Sequence, residues 1–176
     1  PIYAAFQRMR DAAKKDGVSL LIVSGLRTYQ DQKVIWERKW ENLSATIPDS
    51  TARALEILKF SSMPGTSRHH WGTDMDFNAL EDAYFTSGVG LKIYNWLSEH
   101  AGEYGFCQVY SDKSNGRTGY SMEKWHWSYM PLSAAYLKQY TEAVGYADFS
   151  GFRGAGVAQG IGMIKQYVQG ISPACK

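Results

Sequence analysis

The sequence predicts an α+β fold: one domain with a small, mostly antiparallel sheet flanked by helices. Three observations predict it. Strand-like alternation and helical spacing are mixed along the chain without the regular βαβ rhythm of a parallel sheet. The 176 residues correspond to about one domain at roughly 150 residues each. Hydrophobic residues at 44% and charged residues at 20% are ordinary for a globular chain, and no internal repeat or linker divides it.

Each element follows from a local pattern. Ala5, Phe6, Met9, Ala12 and Ala13 have helical spacing, and Gly17 stops that helix. The run Val-Ser-Leu-Leu-Ile-Val at 18–23 is short, β-branched and followed by a Gly, which predicts a buried strand. Residues 29–43 read as a helix with Ile35, Trp36, Trp40 and Leu43 near one face. Pro48, Asp49 and Ser50 punctuate the start of a short helix over 51–60. The Ser/Gly/Pro-rich stretch 61–72 is a loop. Residues 73–80 alternate, with Met75 and Phe77 opposite Asp74, Asp76 and Asn78, which is strand periodicity. A helix over 90–103 places Leu91, Tyr94 and Leu97 inward. Residues 106–110 form a short strand and 111–119 a turn-rich loop. From 123 the chain alternates again, with Trp125, Trp127 and Tyr129 opposite His126 and Ser128. Pro131 suits the first turn of a helix to about residue 144. Apolar residues at 157, 161, 164 and 168 predict a last helix weakened by Gly160 and Gly162. The domain therefore covers 1–176, with core motifs over 18–130 and a helical extension over 131–176.

Composition excludes several classes of function. A net charge of +2 without a Lys/Arg run gives no footprint for nucleic acid. The longest apolar run is far short of the ~20 residues that span a bilayer. Most of the six Trp and twelve Tyr are expected in the core. Cys107 and Cys175 lack zinc-ligand spacing; they either pair or stand as two lone thiols.

The chemistry concentrates in three segments. Zinc takes His, Cys and carboxylate ligands, and a catalytic site has three of them plus an open position. His69 lies in the loop before the 73–80 strand, Asp76 on that strand's polar side, and Gly72 allows the bend between them. His126 lies on another strand, three residues after Glu123, a candidate general base. Taken singly, a loop His, an acidic strand face or two strand Trp residues are more often plain surface or core. His100 and His70 stay with that plain reading.

The conjunction with a third segment is what counts. Ser24-Gly25-Leu26-Arg27-Thr28 with Gln32, then Ser67-x-His69-x-x-Gly72-x-x-x-Asp76, then Glu123-x-Trp125-His126 occur in this order. In these motifs the chain resembles the VanY-type zinc D-alanyl-D-alanine carboxypeptidases of bacterial cell-wall metabolism, and more distantly their hedgehog-like fold. The resemblance implies one zinc ion per chain on His69, Asp76 and His126, with Glu123 as acid/base. It implies Arg27 as the group that binds substrate and stabilises the oxyanion, the terminal carboxylate or both, with Gln32 and Ser67 lining the substrate site. It implies a peptidoglycan stem peptide as substrate and an exported, periplasmic or envelope-associated protein, a setting that permits a Cys107–Cys175 bridge. An L,D-carboxypeptidase, a cell-wall endopeptidase, or a wall-binding module that keeps zinc without cleaving are the alternatives. The chain departs from the family pattern at Leu26, Arg68, Asp74 and Lys124. Arg68 and Lys124 are expected to add positive charge near the site.

Overall fold

A computed structural model describes residues 1–176. Nine elements carry the fold: α1 (Ile2–Lys15), β1 (Ile22–Ser24), α2 (Tyr29–Leu43), α3 (Ser50–Ile57), β2 (Asp74–Phe77), α4 (Gly88–His100), β3 (Phe106–Gln108), β4 (His126–Tyr129) and α5 (Met130–Ala143). The strands form one antiparallel sheet in the order β1-β2-β4-β3. Helix α2 begins with a capping box, in which Thr28 and Asp31 satisfy each other's backbone N–H groups.

Two apolar cores lie on either side of the sheet. Phe6 and Met9 of α1, Ile93, Trp96 and Leu97 of α4, and Met75, Phe77 and Trp127 of the sheet pack into one. Trp36 and Trp40 of α2, Ala54 and Ile57 of α3, and Phe149, Phe152, Met163 and Ile171 of the tail pack into the other. The period-2 alternation of β2 and β4 thus sends Met75 and Trp127 to the first core. Asp74, Asp76, His126 and Ser128 go to the opposite face, where they too are buried.

Three expectations are corrected. The 18–23 run is buried only at Val18 and Leu20. Leu21, Ile22 and Val23 are exposed, because β1 is an edge strand with nothing packed on its outer side. The inner face of α4 is Gly90, Ile93, Trp96 and Leu97, while Leu91 is turned outward. The tail forms no α-helix over 157–168; a 3₁₀ turn at Ala155–Val157 and a π-turn at Met163–Val168 replace it. Gly162, with φ +66°, breaks the spiral that the apolar spacing suggested. Cys107 and Cys175 are disulfide-bonded, tying β3 to the tail across 68 residues of sequence.

Candidate metal centre and its cavity

The site is built by register. Antiparallel pairing sets Asp76 opposite His126, and Asp74 opposite Ser128, on the same sheet face. Ser24 of β1 pairs with Asp76 from the other side. His69 arrives from the 3₁₀ turn Arg68–Trp71, which ends at Gly72 in the left-handed region, φ +67°. That conformation suits glycine and turns the chain sharply into β2.

His69, Asp76 and His126 each point one donor atom at a common place, all within 4.8 Å of one another. His69 Nε2 lies 3.3 Å from Asp76 Oδ2, and His126 Nδ1 lies 3.1 Å from Asp76 Oδ1. The other ring nitrogens are occupied. His69 Nδ1 meets the Gly25 carbonyl at 2.7 Å, and His126 Nε2 meets Asp74 Oδ2 at 2.8 Å. If each outer nitrogen carries the proton, each inner nitrogen presents a lone pair to a carboxylate oxygen. Asp76 Oδ1 is buried with no aligned hydrogen bond. Such a convergence of electron pairs needs positive charge between them, and two imidazoles with one carboxylate are a donor set that zinc accepts.

The titration behaviour says the same. Burial disfavours a charged His126, but the Asp74 and Asp76 carboxylates outweigh it and raise the imidazole to about 10. Burial also works against ionised Asp74, yet the Arg68 guanidinium and His126 hold its carboxyl well below the usual range. Asp76 is likewise held low against burial by His126 and His69. A bound cation competes with protons for this place.

Glu123 stands beside the triad, its Oε2 3.5 Å from His126 Nδ1. Burial pushes its carboxyl up to about 8, against the pull of His126. Its backbone is fixed by the Tyr110 carbonyl and the Gln108 side chain. Arg27, Ser67, His69, Asp76, Glu123 and His126 all line one cavity of about 260 Å³.

Gln32 is fully buried and does not line that cavity. Its Oε1 accepts from Arg27 at 2.8 Å and its Nε2 donates to the Ser62 carbonyl at 2.7 Å. The expectation that Gln32 contacts substrate is corrected: both ends of its amide are engaged within the protein, and it steadies Arg27. Ser24 takes a second guanidinium donor at 3.0 Å. His70 binds the Arg27 carbonyl through Nδ1 and accepts from Gly65 N–H; it is no member of the triad. His100 is on the surface beside Glu103.

Two charges expected near the site are elsewhere in effect. Arg68 is buried and its Nε donates to Asp74 at 2.8 Å, so the pair cancels. Lys124 sits over the Tyr94 ring, outside the cavity. Asp74 is the residue that sequence reasoning undervalued. The signal was present, since an i, i+2 pair on a strand shares one face, and Asp76 on that face was already a candidate ligand.

Comparison with known proteins agrees with this geometry. A family model described as VanY, D-alanyl-D-alanine carboxypeptidase, matches residues 1–132. A D-alanyl-D-alanine carboxypeptidase of Enterococcus faecalis is 34% identical over 129 residues, which is 73% of this chain and 47% of that protein. The chain thus spans about half the length of the curated relatives it matches. The solved structure of VanYB in complex with D-alanine-D-alanine superposes with a TM-score of 0.63 at 31% identity, covering 82% of each chain. A VanY glutamate-to-alanine variant in complex with Zn(II) superposes with a TM-score of 0.61 at 32% identity, covering 80% of this chain and 76% of that one.

Proposed function

The chain belongs to the VanY family of D-alanyl-D-alanine carboxypeptidases, and from that premise we propose that it is a zinc-dependent peptidase that removes the terminal D-alanine from peptidoglycan stem peptides. The observation that carries this reading is the convergence of three donor atoms, from His69, Asp76 and His126, next to a buried Glu123 in a cavity bordered by Arg27. Three protein donors rather than four favour a catalytic site over a structural one. A purely structural site also has no use for a base beside the ion.

In the proposed mechanism His69, Asp76 and His126 would hold one zinc ion, which when bound would supply Lewis-acid polarisation of the scissile carbonyl and a more acidic attacking water. The Glu123 carboxylate takes the proton of that water and delivers it to the departing amine. Arg27 receives the substrate's terminal carboxylate. Two of the five N–H donors of its guanidinium are spent on Gln32 and Ser24, and the remaining three can face a ligand. That tethering fixes the fork before substrate arrives, so little side-chain freedom is lost on binding. Ser67, buried on the cavity wall, lines the substrate's path. We place the protein outside the cytoplasm, where peptidoglycan lies; the Cys107–Cys175 bridge supports an oxidising compartment.

The test is a digest of muropeptides by zinc-loaded protein, read by mass spectrometry, beside the Glu123→Ala variant. Loss of one terminal alanine with wild type is expected. The variant should bind zinc and lose nearly all turnover. Cleaved cross-links would instead mean an endopeptidase, and unimpaired turnover by the variant would remove Glu123 from the mechanism.

A further inference from the structure

The cavity holds more positive charge than cleavage at a C-terminus requires. Besides Arg27, it is lined by Arg38 and Lys39 of α2. Arg38 is exposed and has no hydrogen bond or ion pair within the protein. Lys39 is half-buried, with its Nζ on Ser61 Oγ; burial and then the adjacent Arg38 lower the pKa of its ammonium. The Glu123 carboxylate favours the charged form of Lys39, but neither cation forms an ion pair, and two like charges side by side on a concave wall repel each other unless an anion joins them.

Their position on the helix is informative. Arg27 is tethered to Gln32, in the first turn of α2. Lys39 is seven residues further along the same helix, roughly 10 Å at 1.5 Å per residue. An extended peptide covers that distance in about three residues, at ~3.3–3.6 Å each. A substrate whose terminal carboxylate sits on Arg27 and whose scissile bond lies at the triad therefore brings its third or fourth residue from the C-terminus to Arg38 and Lys39. Phe60 and Leu80, each half-exposed, and Trp125 add an apolar border to the cavity, which suits a peptide backbone lying along it.

We propose that Arg38 and Lys39 form a second anion subsite, so that the protein selects peptides with a side-chain or free α-carboxylate three to four residues from the C-terminus over their neutral amides. This rests on the peptidase reading above. It adds a specificity that zinc and Arg27 do not supply, since both act at the scissile end.

The experiment compares two N-acetylated tetrapeptides, Glu-Glu-D-Ala-D-Ala and its diamide twin Gln-Gln-D-Ala-D-Ala, with the zinc-loaded protein. A stem pentapeptide is run alongside. The expected ratio of kcat/KM, acidic over amide, is about tenfold for wild type, the size of one or two partly exposed charge-assisted hydrogen bonds. It should fall toward one in Arg38→Gln and further in the double Arg38→Gln, Lys39→Gln variant. Because the ratio is taken within each variant, partial misfolding cancels. Equal handling of the twins by wild type, including turnover of neither, overturns the proposal, as does a ratio that survives in the double variant. Cleavage of the stem pentapeptide in those cases leaves the peptidase reading standing, and its failure to be cleaved removes both.

Discussion

His126 offers two ring nitrogens, and only Nδ1 faces Asp76. The choice is made behind it, where Asp74 receives Nε2 at 2.8 Å. Asp74 in turn is held by Arg68, Ser128 and Thr73, so ring orientation and tautomer are set by a buried network. Partners of this kind typically contribute 10–100-fold to metal affinity. Asp74→Asn is expected to weaken zinc binding by about that factor, measured by competition with a chromophoric chelator. Asp74→Ala should also cost stability, about 3–5 kcal/mol in denaturant unfolding, because it strands the buried Arg68 charge; a variant as stable as wild type would show that Arg68 finds another partner. Much of this site was legible in the sequence. His69, Asp76, Glu123 and His126 were recoverable from three ordered motifs, and the structure brings all four together. Gln32, Arg68 and Asp74 were misjudged for one physical reason: a spacing reports which residues are neighbours, not which of them spend their hydrogen bonds on each other.

Among the elements, the tail after α5 shows where spacing fails as a guide. Its apolar residues do reach the core, as Met163, Val168 and Ile171 show, but they do so from turns. A helix there would need residues 160 and 162 to be good helix formers, and both are glycine. Close packing against α2 sets the path instead. A Cβ on Gly154, which has φ +78°, would clash with the Trp40 ring. Gly154→Ala is therefore expected to destabilise by about 2–4 kcal/mol, combining overpacking with backbone strain; its unfolding midpoint in urea reads this directly, and an unchanged midpoint would mean the tail moves off α2 at no cost. The bridge from Cys107 to Cys175 fastens the far end of the same segment to β3. Replacing both cysteines with serine should cost roughly 2–4 kcal/mol. Zinc affinity in that variant should stay near wild type, because all three donors lie on the sheet or the loop before it.

Across the chain, the fold class was readable because β2 and β4 alternate cleanly, and alternation decides which residues meet the two cores. The apolar run at 18–23 misled because a hydrophobic strand reads the same whether it lies in the middle of a sheet or, like β1, at its edge. The three proposed ligands come from a loop and two strands spread over residues 69–126, so they converge only in the folded chain. A cation bound there joins segments that unfolding would separate, and its binding free energy adds to folding stability. At free zinc of about 100 times the dissociation constant the gain is ~2.7 kcal/mol. For a chain of this size each 1 kcal/mol moves the melting midpoint by about 2–4 °C, so zinc should raise Tm by about 5–10 °C and a strong chelator should reverse it. His126→Ala removes one donor and should abolish the shift, while Arg38→Gln, which lines the cavity but supplies no donor to the ion, should retain it. A zinc-induced rise of equal size in His126→Ala would place the ion elsewhere and remove the foundation of the proposed chemistry.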